Sequence, residues 1–262
     1  MSYNQMLIIS LLILTFSTML GSSFVFLVKS KLSNKASNLI IGLASGIMIS
    51  VSFFGLLLPS IEQANVLYGK FSTVAVIGGF LLGGLLLFGL DKIIPHTHPN
   101  QEFDEGIKTK NFSKNIKMLF AMMMHNVPEG IAVGLAIGLA KNGNTEAIYS
   151  ALGLAIGISI QNIPEGAAVS IPMLENNTKK SKAFLLGALS GIVEPLVCLI
   201  ALFLSAILKN TMPILLTISA GAMIYVTIEE LLPEARKGDD IHYGIWAFMI
   251  GFAIMMIMEI AL

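Results

Sequence analysis

Apolar residues in this chain fall in long unbroken blocks separated by short polar intervals, not at the spacing of a half-buried soluble helix or strand. Blocks of similar length lie at about 6–28, 37–60, 72–94, 116–140, 148–172, 182–208, 212–233 and 242–261. A membrane-spanning helix takes about 20 residues, so the pattern predicts eight spans and an all-α integral membrane protein. The stretch MSYNQ ahead of the first block lacks the basic flank of a signal peptide, so that block reads as a retained helix. The one long polar interval, 95–115, is rich in Pro, Asn and charge and has no apolar period, which predicts a flexible loop. It sets three helices before a pair and then three more, a 3+2+3 arrangement within a single transmembrane domain, 1–262.

Composition removes the soluble alternatives. Hydrophobic residues make up 55% of the 262 positions and charged residues 12%, against roughly a quarter charged in ordinary soluble domains. The 16 Lys+Arg balance 16 Asp+Glu, which leaves no excess basic charge for a phosphate backbone and argues against nucleic acid as a partner. A single cysteine, Cys198, excludes a disulfide framework and a Cys-based zinc site. Thirteen of the 16 basic residues fall in the odd-numbered loops between predicted spans. By the positive-inside bias these loops, 95–115 among them, are expected in the cytoplasm, with both termini outside the cell membrane.

Charged side chains at membrane depth cost about 2.5–3.5 kcal/mol each on insertion scales, so each is a functional candidate. The fourth block reads MMMHNVPEGIAVG, with His125, Asn126 and Glu129; the fifth reads SIQNIPEGAAVS, with Gln161, Asn162 and Glu165 at the equivalent places, 36 residues later. Positions i and i+4 share a helix face, so His125 is expected to stack with Glu129 and Gln161 with Glu165. Pro128 and Pro164 cannot donate to the carbonyls four residues back, which favours a kink beside the polar residues. Consecutive spans run antiparallel, so the two N-x-P-E-G segments are predicted to meet near the midplane as an inverted repeat. The sixth block adds Glu194 before Pro195, and the seventh ends with Glu229 and Glu230. Three carboxylates at depth against one imidazole and no Lys or Arg call for cations, and Glu129 and Glu165 are placed to bridge two of them. Imidazole, amide and carboxylate together suit Zn²⁺, Mn²⁺ or Fe²⁺. In the 95–115 loop, His96 and His98 stand beside Glu102, Asp104 and Glu105, which fits either metal capture or an ordinary solvated loop. Glu229 and Glu230 fit either a cytoplasmic exit path or the interface end of a helix.

With HNVPEG, QNIPEG, SGIVEP and EELLPE in successive spans and a His-bearing third loop, the chain resembles the ZIP (Zrt/Irt-like) divalent metal transporters, in particular the prokaryotic GufA-like branch. The resemblance implies a binuclear site, with His125, Glu129, Gln161 and Glu165 around one ion and Asn126, Glu129, Asn162, Glu165 and Glu194 around the other. It also places Met48 at the first ion. Gln161 stands where many members have His and Asn162 where some have Asp, both making the site more neutral. The resemblance implies alternating access, with spans one, four, five and six moving against two, three, seven and eight, the latter forming a homodimer contact.

The expected function is secondary transport of a divalent transition metal, zinc first and manganese, iron or cadmium besides, toward the cytoplasm, with no organic cofactor. A channel-like metal pathway is the near alternative. An intramembrane metal-dependent hydrolase is the alternative from another class, although HExxH is absent.

Overall fold

The computed structural model describes residues 1–28, 32–93, 113–141, 143, 145–176, 178–238 and 241–261. His96 and His98 lie outside the described residues, as does nearly all of the 95–115 loop. Every regular element among the described residues is helical: α1 Tyr3–Ser23, α2 Asn34–Ser50, α3 Leu58–Tyr68, α4 Ser72–Ile93, α5 Lys114–Ala140, α6 Thr145–Ser170, α7 Lys180–Gly191, α8 Val193–Ile207, α9 Met212–Val226, α10 Leu232–Glu234 and α11 Ile241–Ala261. Among the described residues seven helical stretches are long and apolar enough to cross a membrane, and one of them, Asn34–Ile93, is 60 residues long. The expected second and third spans are thus one helical stretch, turning at Gly69, whose φ of +52° suits a residue without a Cβ.

Proline explains where the helices depart from the expected blocks. The 182–208 block is two helices, α7 and α8, because Pro195 can give no N–H to Gly191, the last residue of α7. Glu194 therefore sits in the first turn of α8, where the free N–H groups favour a carboxylate. α2 runs into a wide π-helical turn, Val51–Leu57, and α9 into another, Thr227–Leu231; each is followed by a Leu-Pro step, Leu58-Pro59 and Leu232-Pro233. The approach is the same in both: Gly46-x-Met48-Ile49-x-Val51-Ser52 and Gly221-x-Met223-Ile224-x-Val226-Thr227. Ser52 donates to the Met48 carbonyl and Thr227 to the Met223 carbonyl, each at 2.7 Å, hydroxyl bonds that bend helices.

The most extensive helix pairs are α2 with α11, α1 with α6, α5 with α8 and α4 with α9. Each closes over a glycine. A Cβ on Gly46 would overlap the carbonyl of Phe248, on Gly21 that of Ile163, on Gly134 that of Cys198 and on Gly221 that of Phe80. Lipid gives no hydrophobic drive between helices, so this close backbone packing is what holds the bundle together. The outside is apolar, with Val74, Ile77, Leu81 and Leu85 of α4 exposed, while Glu129, Glu165 and Glu194 and the amides of Asn126, Gln161 and Asn162 are buried.

Candidate metal-binding site

α5 and α6 pack together and carry the two N-x-P-E-G segments, with Pro128 and Pro164 inside continuous helices. His125, Asn126, Glu129, Gln161, Asn162, Glu165 and Glu194 are all buried. Gln161 joins the two copies: its amide donates to Glu129 Oε1 at 2.8 Å and to Glu165 Oε2 at 2.7 Å. Asn162 donates to Glu194 Oε2 at 2.6 Å, bringing α8 to the same cluster. Asn126 donates to the Ser190 carbonyl of α7 at 2.9 Å.

His125 also meets a carboxylate that the sequence did not pair it with: its Nε2 is 2.8 Å from Glu230 Oε1 in the π-helical turn after α9. Glu230 is thereby drawn against the cluster, while Glu229 is exposed; both line a cavity of about 330 Å³. His125 and Glu165 line its inner part, and Asn34, Ser37, Glu234 and Lys237, near helix ends, its outer part. Lys237 pairs with Glu234 there. Met48 is buried in the apolar core of α2, one turn beyond Ala44, which lines the cavity.

The polar balance of the cluster is unusual. Asn126 Oδ1, Glu129 Oε2, Gln161 Oε1, Asn162 Oδ1 and Glu165 Oε1 are buried with no hydrogen-bond partner. A buried acceptor left unpaired costs about 1–3 kcal/mol, and more when charged. Every one of these five atoms is an oxygen acceptor, which a divalent cation would satisfy and a further acceptor would not. Among the described residues no three His, Cys, Asp or Glu side chains stand grouped to hold a metal by themselves. Amides interleave the carboxylates, so any ion held here takes mixed amide and carboxylate donors.

The family model described as ZIP zinc transporter matches residues 115–259. The chain belongs to the ZIP family. It is 32% identical to the zinc transporter GufA of Myxococcus xanthus over 90% of this chain and 91% of that one. It is 30% identical to the zinc transporter ZIPB of Bordetella bronchiseptica, over 88% of this chain and 73% of that protein. With the zinc transporter ZupT of Corynebacterium aurimucosum it shares 32% identity over 83% of this chain and 82% of the relative. A multi-pass transporter, not a hydrolase, is what membership of the ZIP family makes it.

Around the ZIP motifs the structure adds residues that the sequence pattern left out. Thr18 of α1 reaches Glu194 Oε1 at 3.4 Å, and Ser17 accepts from Asn162 at 3.4 Å. Ser219 of α9 donates to the Pro128 carbonyl at 2.6 Å. The signal in the sequence was the cluster of small and hydroxyl residues Ser17, Thr18, Gly21 and Ser22 on one face of the first apolar block.

Proposed function

We propose that this chain carries divalent transition-metal cations, zinc first and manganese, iron or cadmium besides, across the cell membrane toward the cytoplasm. The five unpartnered oxygens around Glu129, Gln161 and Glu165 carry the reading. Two ions share Glu129 and Glu165: one also takes His125, Gln161 and Met48, the other Asn126, Asn162 and Glu194. The names of the relatives as zinc transporters support the choice of substrate.

The transport path follows from eight spans in a 3+2+3 order with both termini outside. A stretch of 60 residues is long enough for two spans, and α7 with α8 makes one. A two-fold relating α5 to α6 would exchange α1·α6 with α8·α5 and α2·α11 with α9·α4, which are the four main pairs observed. Positive-inside orientation turns the rim at Asn34 and Lys237 to the cytoplasm, so the 330 Å³ cavity is the inner half of the path, and Glu229 and Glu230 line the exit. On the other side, Leu135, Ile137, Leu154 and Ile158 form buried apolar core. One side open and the other packed fits alternating access, with α1, α5, α6, α7 and α8 moving against the rest, and speaks against a continuous channel. The remaining helices would supply the face of a homodimer.

Zinc uptake by proteoliposomes tests this. Wild-type uptake is expected to saturate, and Glu165→Ala to abolish it while the protein inserts and purifies normally. Wild-type uptake by folded Glu165→Ala overturns the site, and non-saturating flux overturns the carrier reading.

A further inference from the structure

The glycines that close the two N-x-P-E-G copies each let a neighbouring helix approach. A Cβ on Gly130 would overlap the Glu194 carbonyl in α8, and one on Gly166 would overlap the Thr18 carbonyl in α1. The pairing repeats one turn on: a Cβ on Gly134 would overlap the Cys198 carbonyl, and Ser170 donates to the Ser22 carbonyl at 3.2 Å. The step is the same on all four helices, from 130 to 134, 194 to 198, 166 to 170 and 18 to 22. The α5·α8 and α6·α1 contacts are therefore one contact built twice. Thr18 stands in α1 where Glu194 stands in α8.

The two counterparts meet. Thr18 Oγ1 lies 3.4 Å from Glu194 Oε1, and Asn162 links the other carboxylate oxygen, at 2.6 Å, to the Ser17 hydroxyl, at 3.4 Å. Thr18, Asn162 and Glu194 are each no more than 1% exposed. Thr18 sits in a slot vacated by two glycines: a Cβ on Gly191 would lie 2.5 Å from its Cβ, and Gly166 closes on its backbone. A β-branched side chain so enclosed has little freedom at χ1, which holds its hydroxyl on the carboxylate.

We propose that Thr18, with Ser17 beside it, is the positioning residue of the Glu194–Asn162 half of the site and so a determinant of which divalent cations are accepted. This rests on the metal-site reading above. That half offers carboxylate, amide and hydroxyl oxygens, whereas the other half has an imidazole. Oxygen donors suit harder ions such as Mn²⁺, and imidazole suits Zn²⁺. A carboxylate already held in place is ordered at less cost when an ion binds, so loss of the Thr18 hydroxyl weakens the harder ions most.

The test compares full-length wild type, Thr18→Val and Thr18→Ser in proteoliposomes, with Zn²⁺ and Mn²⁺ uptake each resolved into KM and maximal rate. Valine keeps the shape and removes the hydroxyl. Thr18→Val is expected to raise the Mn²⁺ KM about threefold, the lower range of what one hydrogen bond is worth because the contact is long at 3.4 Å, with a smaller change for Zn²⁺. Thr18→Ser keeps the hydroxyl without the β-branch and is expected to restore most of the Mn²⁺ value. Unchanged KM values in Thr18→Val, an equal fall in maximal rate for both metals, failure of serine to rescue, or a wild type indifferent to Mn²⁺ would each overturn the proposal. Glu165→Ala run in parallel separates the two readings: if it abolishes uptake while Thr18→Val is silent, only the role of Thr18 fails, and if it transports normally the site itself fails.

Discussion

Gln161 shows how a single side chain shapes the site. Its NH₂ lies between Glu129 and Glu165 and donates to both, while its own carbonyl oxygen has no partner. An amide is a neutral donor atom, so Gln161→His should tighten the first ion and move preference toward Zn²⁺ over Mn²⁺ by about tenfold, the lower end of what altering a metal's surroundings does to affinity. Competition uptake of the two metals measures it, and an unchanged preference would leave Gln161 as a link between helices only. Protons compete with metal for imidazole and carboxylate alike, so metal binding should weaken on acidification. His125→Gln should flatten that slope between about pH 5.5 and 8, the range in which an ordinary imidazole titrates. Binding isotherms across the range check this, and identical slopes would remove His125 from the site. The seven polar side chains of the cluster, which the structure buries on α5, α6 and α8, stand out in the sequence as candidates, because charge at membrane depth is conspicuous and the motif occurs twice. The partner that Thr18 meets, the Ser219 bond and the His125–Glu230 contact do not, because each joins residues far apart in sequence that only helix packing brings together.

At the level of elements, blocks of apolar sequence locate helices well and their ends poorly. The helix expected to stop near Ser60 continues to Tyr68, since Ile61-Glu62-Gln63-Ala64 keeps helical propensity where the apolar block ends, and Gly69 stops it. The break between α7 and α8 and the wide turns before Pro59 and Pro233 go with prolines in the sequence, yet only the structure shows the backbone parting at the first and widening at the other two. Close packing over glycine makes a further prediction. Gly221→Leu would drive a side chain into the Phe80 backbone, and Gly46→Leu one into that of Phe248. Each should destabilise the bundle by about 1–3 kcal/mol or more, seen as a lower thermal midpoint in detergent. Gly78→Leu, whose Cβ would meet nothing within 4 Å, should not.

For the whole molecule, the cavity reaches the buried cluster from the end of the bundle that bears Asn34, Ser37 and Lys237. Cys198 is the sole cysteine and is buried, so Ser37→Cys in a Cys198→Ala background reports on that rim alone. A membrane-impermeant maleimide should label it from the cytoplasmic side and not from outside; the opposite sidedness would reverse the topology. The most direct test of the central claim is zinc binding at equilibrium to purified wild type and Glu165→Ala, because one carboxylate is assigned to both ions. The account predicts more than one zinc per wild-type chain and loss of both ions from the folded mutant. A mutant that keeps the wild-type stoichiometry and affinity would contradict it.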